Sequence, residues 1–140
     1  YLPADAAAAI SPDMTFAAEL ADIYQHCDYI TIHVPAMGGT IGMIDAAACE
    51  QMKPGCVFLN FSRDTLVDAE AMTQALASGK VRKYVTDFAT PAVMAMENAI
   101  VLPHLGASTA ESEDNCAIMA VKDVMTYLKM GERNHCVNMK

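Results

Sequence analysis

Short runs of β-branched and apolar residues alternate with segments typical of helices, and this alternation limits the fold more than any other feature of the chain. The segment DYITIHV at residues 28–34 predicts a strand, and AAACEQM at residues 46–52 predicts a helix capped by Asp45. Strands that alternate with helices form a parallel sheet with helices on its faces, joined by right-handed crossovers. The sequence therefore predicts an α/β fold built on a doubly wound parallel sheet.

The alternation continues to the end of the chain. Three more apolar runs, CVFLN, KYVTDF and AIVLP, predict strands at residues 56–60, 83–88 and 99–103. Further helices are predicted at residues 20–26, 68–79 and from 109 onward. Gly131 ends the last of these helices, and its apolar side contains Met119, Val121, Val124, Met125 and Leu128.

Charge and cysteine usage exclude several classes of partner. Nine basic residues against seventeen acidic ones give a net charge of -8, which argues against a surface for nucleic acid or an anionic membrane. No apolar run approaches the length of a membrane span. The five cysteines form no CxxC pair, so we predict no metal site, no disulfide framework and a cytoplasmic protein with reduced thiols.

The start of the chain predicts that it is a fragment. The first residue is Tyr1 rather than Met, and the opening segment YLPADAAAAISP has no basic stretch ahead of an apolar one, unlike a signal peptide.

A polar or charged residue lies at the carboxyl end of each of four predicted strands. These residues are His33, the segment at 60–63, Asp87 and His104. Ligands of open α/β sheets bind beyond the carboxyl ends of the strands. Because an imidazole can both donate and accept a proton near neutrality, His104 is the candidate acid/base. The alternative is a capping or solvated histidine.

The other strand-end residues also allow two interpretations. Arg63 can bind a carboxylate through two parallel hydrogen bonds, or it can pair with Asp64 at the surface. Asp87 can accept a hydrogen bond from a carboxamide such as that of nicotinamide, or it can be a helix cap or turn residue. His33 can simply face solvent, and Asn60 can be a turn residue.

The segment GGTIG at residues 38–42 resembles part of a glycine loop that binds phosphate. Such a loop should follow its strand directly and open a helix. Pro35, Ala36 and Met37 intervene here, so we predict an ordinary loop rich in turns and no GxGxxG fingerprint in this chain.

Four consecutive segments carry a resemblance to a known family. They are CDYITIHVP with TIGMI, MKPGCVFLNFSRDTLVDAEAMTQALASGKV, YVTDF and NAIVLPHLGASTAES, and the match around them extends from about residue 20 to 138. In this order and spacing the chain resembles the D-isomer-specific 2-hydroxyacid dehydrogenases. The resemblance implies a Rossmann-like domain that binds NAD, with 3-phosphoglycerate of serine biosynthesis as the expected substrate.

The resemblance also implies roles for individual residues. Arg63 would bind and polarise the substrate, and His104 would be the acid/base. Matching the strand ends to the family pattern predicts cofactor contacts at His33, Val34, Pro35, Asn60, Phe61, Ser62, Asp87, Gly106 and Ala107. A homodimer is implied as well.

Two departures from the family pattern stand out. Most members carry a glutamate after the aspartate strand that pairs with the histidine, whereas residues 87–91 here contain no second acid. Such a carboxylate would strengthen the base and fix its tautomer, and Glu97, Glu111 and Glu113 could replace it. The second departure is length: residues 1–140 would be the C-terminal part of the NAD-binding domain, without its glycine-rich turn or the substrate domain, and inactive alone.

Two other functions remain open at this stage. One is reduction of glyoxylate or hydroxypyruvate by the same chemistry. The other is a dimerising, co-repressor-like interaction protein of the same fold, which the missing glutamate keeps in consideration.

Overall fold

The computed structural model describes residues 6, 9–11, 13–133 and 135–136, and its contacts divide the chain into two units, Tyr1–Pro103 and His104–Lys140. The described elements of the first unit are α1 (Leu20–His26), β1 (Tyr29–Ile32), α2 (Ala46–Gln51), β2 (Cys56–Asn60), a 3-10 turn (Asp64–Leu66), α3 (Ala69–Ala77), β3 (Val81–Thr86), α4 (Pro91–Met94) and β4 (Ala99–Val101). The second unit contains α5 (Ala110–Met130).

The four strands form one sheet in the order β1-β2-β3-β4, and every pair is parallel. The predicted parallel sheet with flanking helices is therefore confirmed. Each predicted helix in the first unit is present within one or two residues of its expected bounds. The strands β1, β3 and β4 end earlier than predicted, so His33, Val34 and Asp87 lie in the loops beyond them.

One face of the sheet packs against the helices and forms the core. Ile30, Phe58 and Tyr84 lie side by side in the strand register and are buried in one apolar cluster. Cys49 of α2 and Met72 of α3 belong to the same cluster. Helices α2 and α3 contact each other, and α3 contacts β3, so a layer of helices covers this face.

In the second unit, α5 begins and ends where its sequence signals place it. The Thr109 hydroxyl accepts a hydrogen bond from the Ser112 amide at 3.1 Å, and Gly131 ends the helix at φ 72°. None of the 21 residues of α5 is buried. Its predicted apolar side is present but faces solvent, and Leu128 is 74% exposed.

Candidate functional site

The register of the strands aligns the carboxyl ends of β1, β2 and β3. Ile32 pairs with Asn60, and Asn60 pairs with Thr86, so the three strands end side by side. The loops that begin at residues 33, 61 and 87 consequently leave the sheet at one edge. The predicted site residues of the first unit are brought together in this way: His33, Val34, Pro35, Asn60, Phe61, Ser62, Arg63 and Asp87.

The loop after β1 is tied to the loop after β2. The Ser62 hydroxyl donates a 2.7 Å hydrogen bond to the carbonyl of Val34. The next residue, Pro35, accepts a 2.6 Å hydrogen bond from the Thr40 hydroxyl through its own carbonyl. The predicted turns are present after Pro35, where the Thr40 amide donates a hydrogen bond to the Met37 carbonyl at 2.8 Å. The loop at residues 38–42 therefore folds on itself and opens no helix, as predicted.

Asn60 holds the loop that carries Arg63. It is completely buried, and its side-chain oxygen accepts a hydrogen bond from the Ser62 amide at 3.1 Å. Its side-chain nitrogen donates to the Arg63 carbonyl at 2.8 Å. Because the Asn60 side chain has no exposed surface, it supports the Arg63 loop from inside the fold, and its contact with a cofactor stays a prediction.

The Arg63 side chain is exposed, and its Nη1 donates to the Ser62 carbonyl at 2.6 Å. Among the described residues, Arg63 forms no ion pair with Asp64, whose carboxylate accepts the Thr65 amide at 2.8 Å. The guanidinium belongs to an exposed residue at the sheet edge, and an arginine can bind a carboxylate through two parallel hydrogen bonds.

Asp87 follows the last residue of β3 and is half-buried, with its Oδ1 fully buried. It does not cap the following helix: Thr90 caps α4 by accepting a hydrogen bond from the Val93 amide at 3.3 Å. The helix-cap interpretation of Asp87 is therefore wrong, whereas the residue lies in a bend of the chain, in agreement with the turn-residue alternative. Its carboxylate lies at the same edge as Arg63.

His33 is exposed beyond β1, and its Nε2 lies 2.8 Å from the Thr31 hydroxyl. This placement agrees with the interpretation that His33 faces solvent at the sheet edge.

His104, Gly106 and Ala107 belong to the second unit and are exposed there. The residues after His104 form a turn in which the Ser108 amide donates to the Leu105 carbonyl at 3.0 Å. Of the acids proposed to replace the missing glutamate, Glu111 and Glu113 lie in the first turn of α5 in the same unit. Their role beside His104 stays a prediction.

Two buried polar residues near the edge were not expected from the sequence. Thr86 is fully buried and Tyr84 is 2% exposed. Burial raises the pKa of the Tyr84 hydroxyl, and hydrogen bonds to Asn60 and Thr86 oppose that shift. Side chains alternate between the two faces of a strand, so residues 84 and 86 lie on the same face as the core residues. This two-residue period could have identified both as buried.

The edge has the chemistry that a nicotinamide nucleotide requires. Val34 is half-buried, and Pro35 and Phe61 are exposed, so apolar surface is available beside the flat ring. Asp87 and Arg63 follow β3 and β2 at this edge, and a carboxylate and a guanidinium are groups that can bind a carboxamide and a carboxylate, respectively. The residues present fit the nicotinamide half of NAD.

Among the described residues, no group of three or more His, Cys, Asp or Glu side chains could hold a metal ion. None of the helices they form combines the length and the apolar character needed to cross a bilayer.

The class of protein follows from comparison with known sequences. The family model described as D-isomer specific 2-hydroxyacid dehydrogenase, NAD binding domain, matches residues 4–106. The chain therefore belongs to this family, and residues 4–106 match its NAD-binding domain.

The chain is also similar to individual relatives and to a solved structure. A D-3-phosphoglycerate dehydrogenase from Haemophilus influenzae is 30% identical over 85% of this chain and 32% of its own length. A glyoxylate/hydroxypyruvate reductase B from Enterobacter sp. is 30% identical over 86% of this chain and 39% of its own length. A solved structure of D-lactate dehydrogenase with NAD+ from Lactobacillus jensenii has a TM-score of 0.78 at 26% identity, over 94% of this chain and 45% of that one. The chain thus spans between about a third and under half of the length of these proteins.

Proposed function

We propose that this chain is the C-terminal part of the NAD-binding domain of a dehydrogenase that oxidises 3-phosphoglycerate in serine biosynthesis. The observation that carries the proposal is the strand register, which brings the loops of Val34, Arg63 and Asp87 to one edge of the sheet. The similarity to a D-3-phosphoglycerate dehydrogenase supports the choice of substrate.

Each residue has a defined task in this proposal. Arg63 binds the substrate carboxylate through two parallel hydrogen bonds and polarises the adjacent oxygen. His104 accepts the proton of the substrate hydroxyl. Bound NAD would supply the acceptor for the hydride of the carbon that carries the hydroxyl. Asp87 accepts a hydrogen bond from the cofactor carboxamide, and His33, Val34, Pro35, Phe61, Ser62, Gly106 and Ala107 line its position.

The open face of the sheet supports the proposal that further residues complete the domain. Tyr29 and Ile100 point away from the core-forming rows and are 68% and 44% exposed. Parallel sheets are normally covered by helices on both faces. We expect the glycine-rich turn and the substrate domain outside these 140 residues, and no catalysis by the 140-residue chain alone.

The proposal also covers the location of the protein, its small-molecule partner and its oligomeric state. A cytoplasmic location agrees with cysteines that form no disulfide among the described residues. The partner is a small hydroxy acid or keto acid, and the family resemblance suggests a homodimer.

The proposal is tested by steady-state kinetics on the intact protein that carries these residues. Arg63→Ala and His104→Ala should each lower kcat/KM for 3-phosphoglycerate by roughly 100-fold or more. Arg63→Lys should lose most of the same activity, because an ammonium cannot make the two parallel hydrogen bonds. The controls are Arg82→Ala and His26→Ala, at exposed residues on β3 and α1 away from the edge. Near-normal turnover of either test variant would contradict the assigned roles.

The similarity to a glyoxylate/hydroxypyruvate reductase supports a second candidate. Measuring kcat/KM for 3-phosphoglycerate, glyoxylate and hydroxypyruvate in one preparation ranks the two functions. If none of these is turned over while NAD still changes the oligomeric state, the co-repressor-like function is favoured instead.

A further inference from the structure

Three polar side chains lie buried together on the helix-covered face of the sheet. Asn60 and Thr86 are fully buried, and Tyr84 is 2% exposed. Asn60 and Thr86 are direct partners in the strand register. Burial of polar groups costs free energy unless they are hydrogen-bonded, so their arrangement has a structural reason.

Thr86 connects two strand ends through one hydroxyl. It donates to the Asn60 carbonyl at 2.8 Å and accepts a hydrogen bond from the Phe88 amide at 3.3 Å. The single hydroxyl proton goes to Asn60, so the bond from Phe88 must use an oxygen lone pair. The end of β2 is thereby linked to the turn that contains Asp87.

Asn60 extends the connection to Arg63. Its side chain accepts the Ser62 amide at 3.1 Å and donates to the Arg63 carbonyl at 2.8 Å. The Tyr84 hydroxyl lies 3.4 Å from the same side-chain nitrogen and supports it from the next strand. The connection runs from the Phe88 amide to the Thr86 hydroxyl and on to the backbone carbonyl of Asn60, and the side chain of the same Asn60 then bonds to the Arg63 loop.

We propose that Thr86 and Tyr84 are positioning residues that act through Asn60 to hold the Arg63 loop and the Asp87 turn in a fixed relative position. The inference rests on the proposed function for the role of Arg63. Neither residue reaches the reacting groups, because both side chains are buried beneath the sheet edge. Their effect on the reaction is therefore indirect and passes through the loop that they support.

The first test measures hydrogen exchange of the full chain and needs no bound cofactor. Thr86→Val removes the hydroxyl and keeps the shape, so exchange should become roughly tenfold faster at the Phe88 amide and also at the Ser62 amide. Thr86→Ser should restore the slow rates. Thr73→Val is the matched control, since the Thr73 hydroxyl bonds only to the Ala69 carbonyl of its own helix, at 2.7 Å. Faster exchange at Phe88 with no change at Ser62 would overturn the coupling.

The second test separates positioning from general stability. In the intact enzyme, Thr86→Val should lower kcat/KM by about 10- to 100-fold, and the same change should have almost no effect in an Arg63→Ala background. Equal effects in both backgrounds would show that Thr86 does not act through Arg63. If Arg63→Ala itself has normal turnover, the proposed function is contradicted. If Arg63→Ala is inactive and Thr86→Val has normal kcat/KM, only the positioning role is contradicted.

Tyr84→Phe keeps the proposal testable if Thr86→Val does not fold. It removes one hydroxyl and should speed exchange at the Ser62 amide. Tyr24→Phe is its control, because Tyr24 is another buried tyrosine, located on α1 outside the network. Identical exchange at Ser62 in both tyrosine variants would remove Tyr84 from the proposal.

Discussion

At the scale of single residues, the buried thiol of Cys49 shows how the core controls ionisation. Cys49 is 3% exposed on α2, and this burial, with Asp45, Cys56 and Asp68 nearby, raises its pKa from 9.0 to about 11. A thiolate at this position would lack solvation and would face negative groups. The thiol is consequently a neutral core group over the physiological pH range.

The raised pKa predicts that alkaline conditions destabilise the fold. Below pH 9 the Cys49 thiol is protonated in both states, whereas between pH 9 and about 11 only the unfolded chain releases the proton freely. The free energy of unfolding should therefore fall across this window. Burial raises the pKa of Cys56, Tyr24 and Tyr84 in the same direction, so these groups add to the fall.

Urea unfolding between pH 7 and 10.5 measures this effect. Cys49→Ala should reduce the slope of the unfolding free energy against pH, even though it lowers stability overall. Cys116→Ala, at an exposed cysteine on α5, should leave the slope as it is in the unaltered chain. A slope that Cys49→Ala does not change would contradict the assignment.

At the scale of elements, the starts of α2 and α3 are aligned by a small parallel bridge. The Ile44 amide donates to the Leu66 carbonyl at 3.0 Å, and the Asp68 amide donates to the Ile44 carbonyl at 3.0 Å. Asp45 and Asp68 then cap the two helices through bonds of 2.8 Å to the amides three residues later. Backbone pairing therefore sets where both helices begin.

The cap of α3 can be tested by two substitutions at one position. Asp68→Ala removes the acceptor for the Ala71 amide and should lower the free energy of unfolding by about 1 kcal/mol. Asp68→Asn keeps a side-chain oxygen and should cost much less. Thermal unfolding followed by circular dichroism gives both values. Equal losses for the two variants would mean that charge, and not the cap hydrogen bond, stabilises the helix.

At the scale of the whole molecule, the two units differ in how far their apolar side chains are buried. The first unit buries Leu66 and Met72 completely inside its core. In the second unit, Ile118 and Leu128 of α5 are 64% and 74% exposed. The hydrophobic contribution to stability is thus concentrated in the first unit.

This difference predicts unequal costs for two leucine substitutions. Leu66→Ala should lower the free energy of unfolding of the 140-residue chain by about 2–5 kcal/mol, because it leaves a cavity in the core. Leu128→Gln should change it by less than about 0.5 kcal/mol. Urea unfolding of both variants makes the comparison. A large loss for Leu128→Gln would show that this side of α5 is covered in solution.

The sequence by itself predicted the four strands, the longer helices and a common edge for the strand-end residues of the first unit. Helix caps such as Asp45, Asp68 and Thr109, and apolar runs such as residues 56–60, are local signals, because caps and periodicity depend on neighbours along the chain. The 3-10 turn Asp64–Leu66 and the four-residue α4 were missed because a single turn is too short to show a helical period. The short helix at residues 91–94 is visible only through its Thr90 cap and Pro91.

Only the tertiary structure decided what the polar residues at that edge do. The sequence predicts Asn60 as a cofactor contact or a turn residue, and the folded chain adds that it is buried and supports the Arg63 loop. Thr86 and Tyr84 had no predicted role until the register placed them beside Asn60. Hydrogen bonds between strands join residues about 25 positions apart, and their partners are set by strand pairing and core packing rather than by any local pattern.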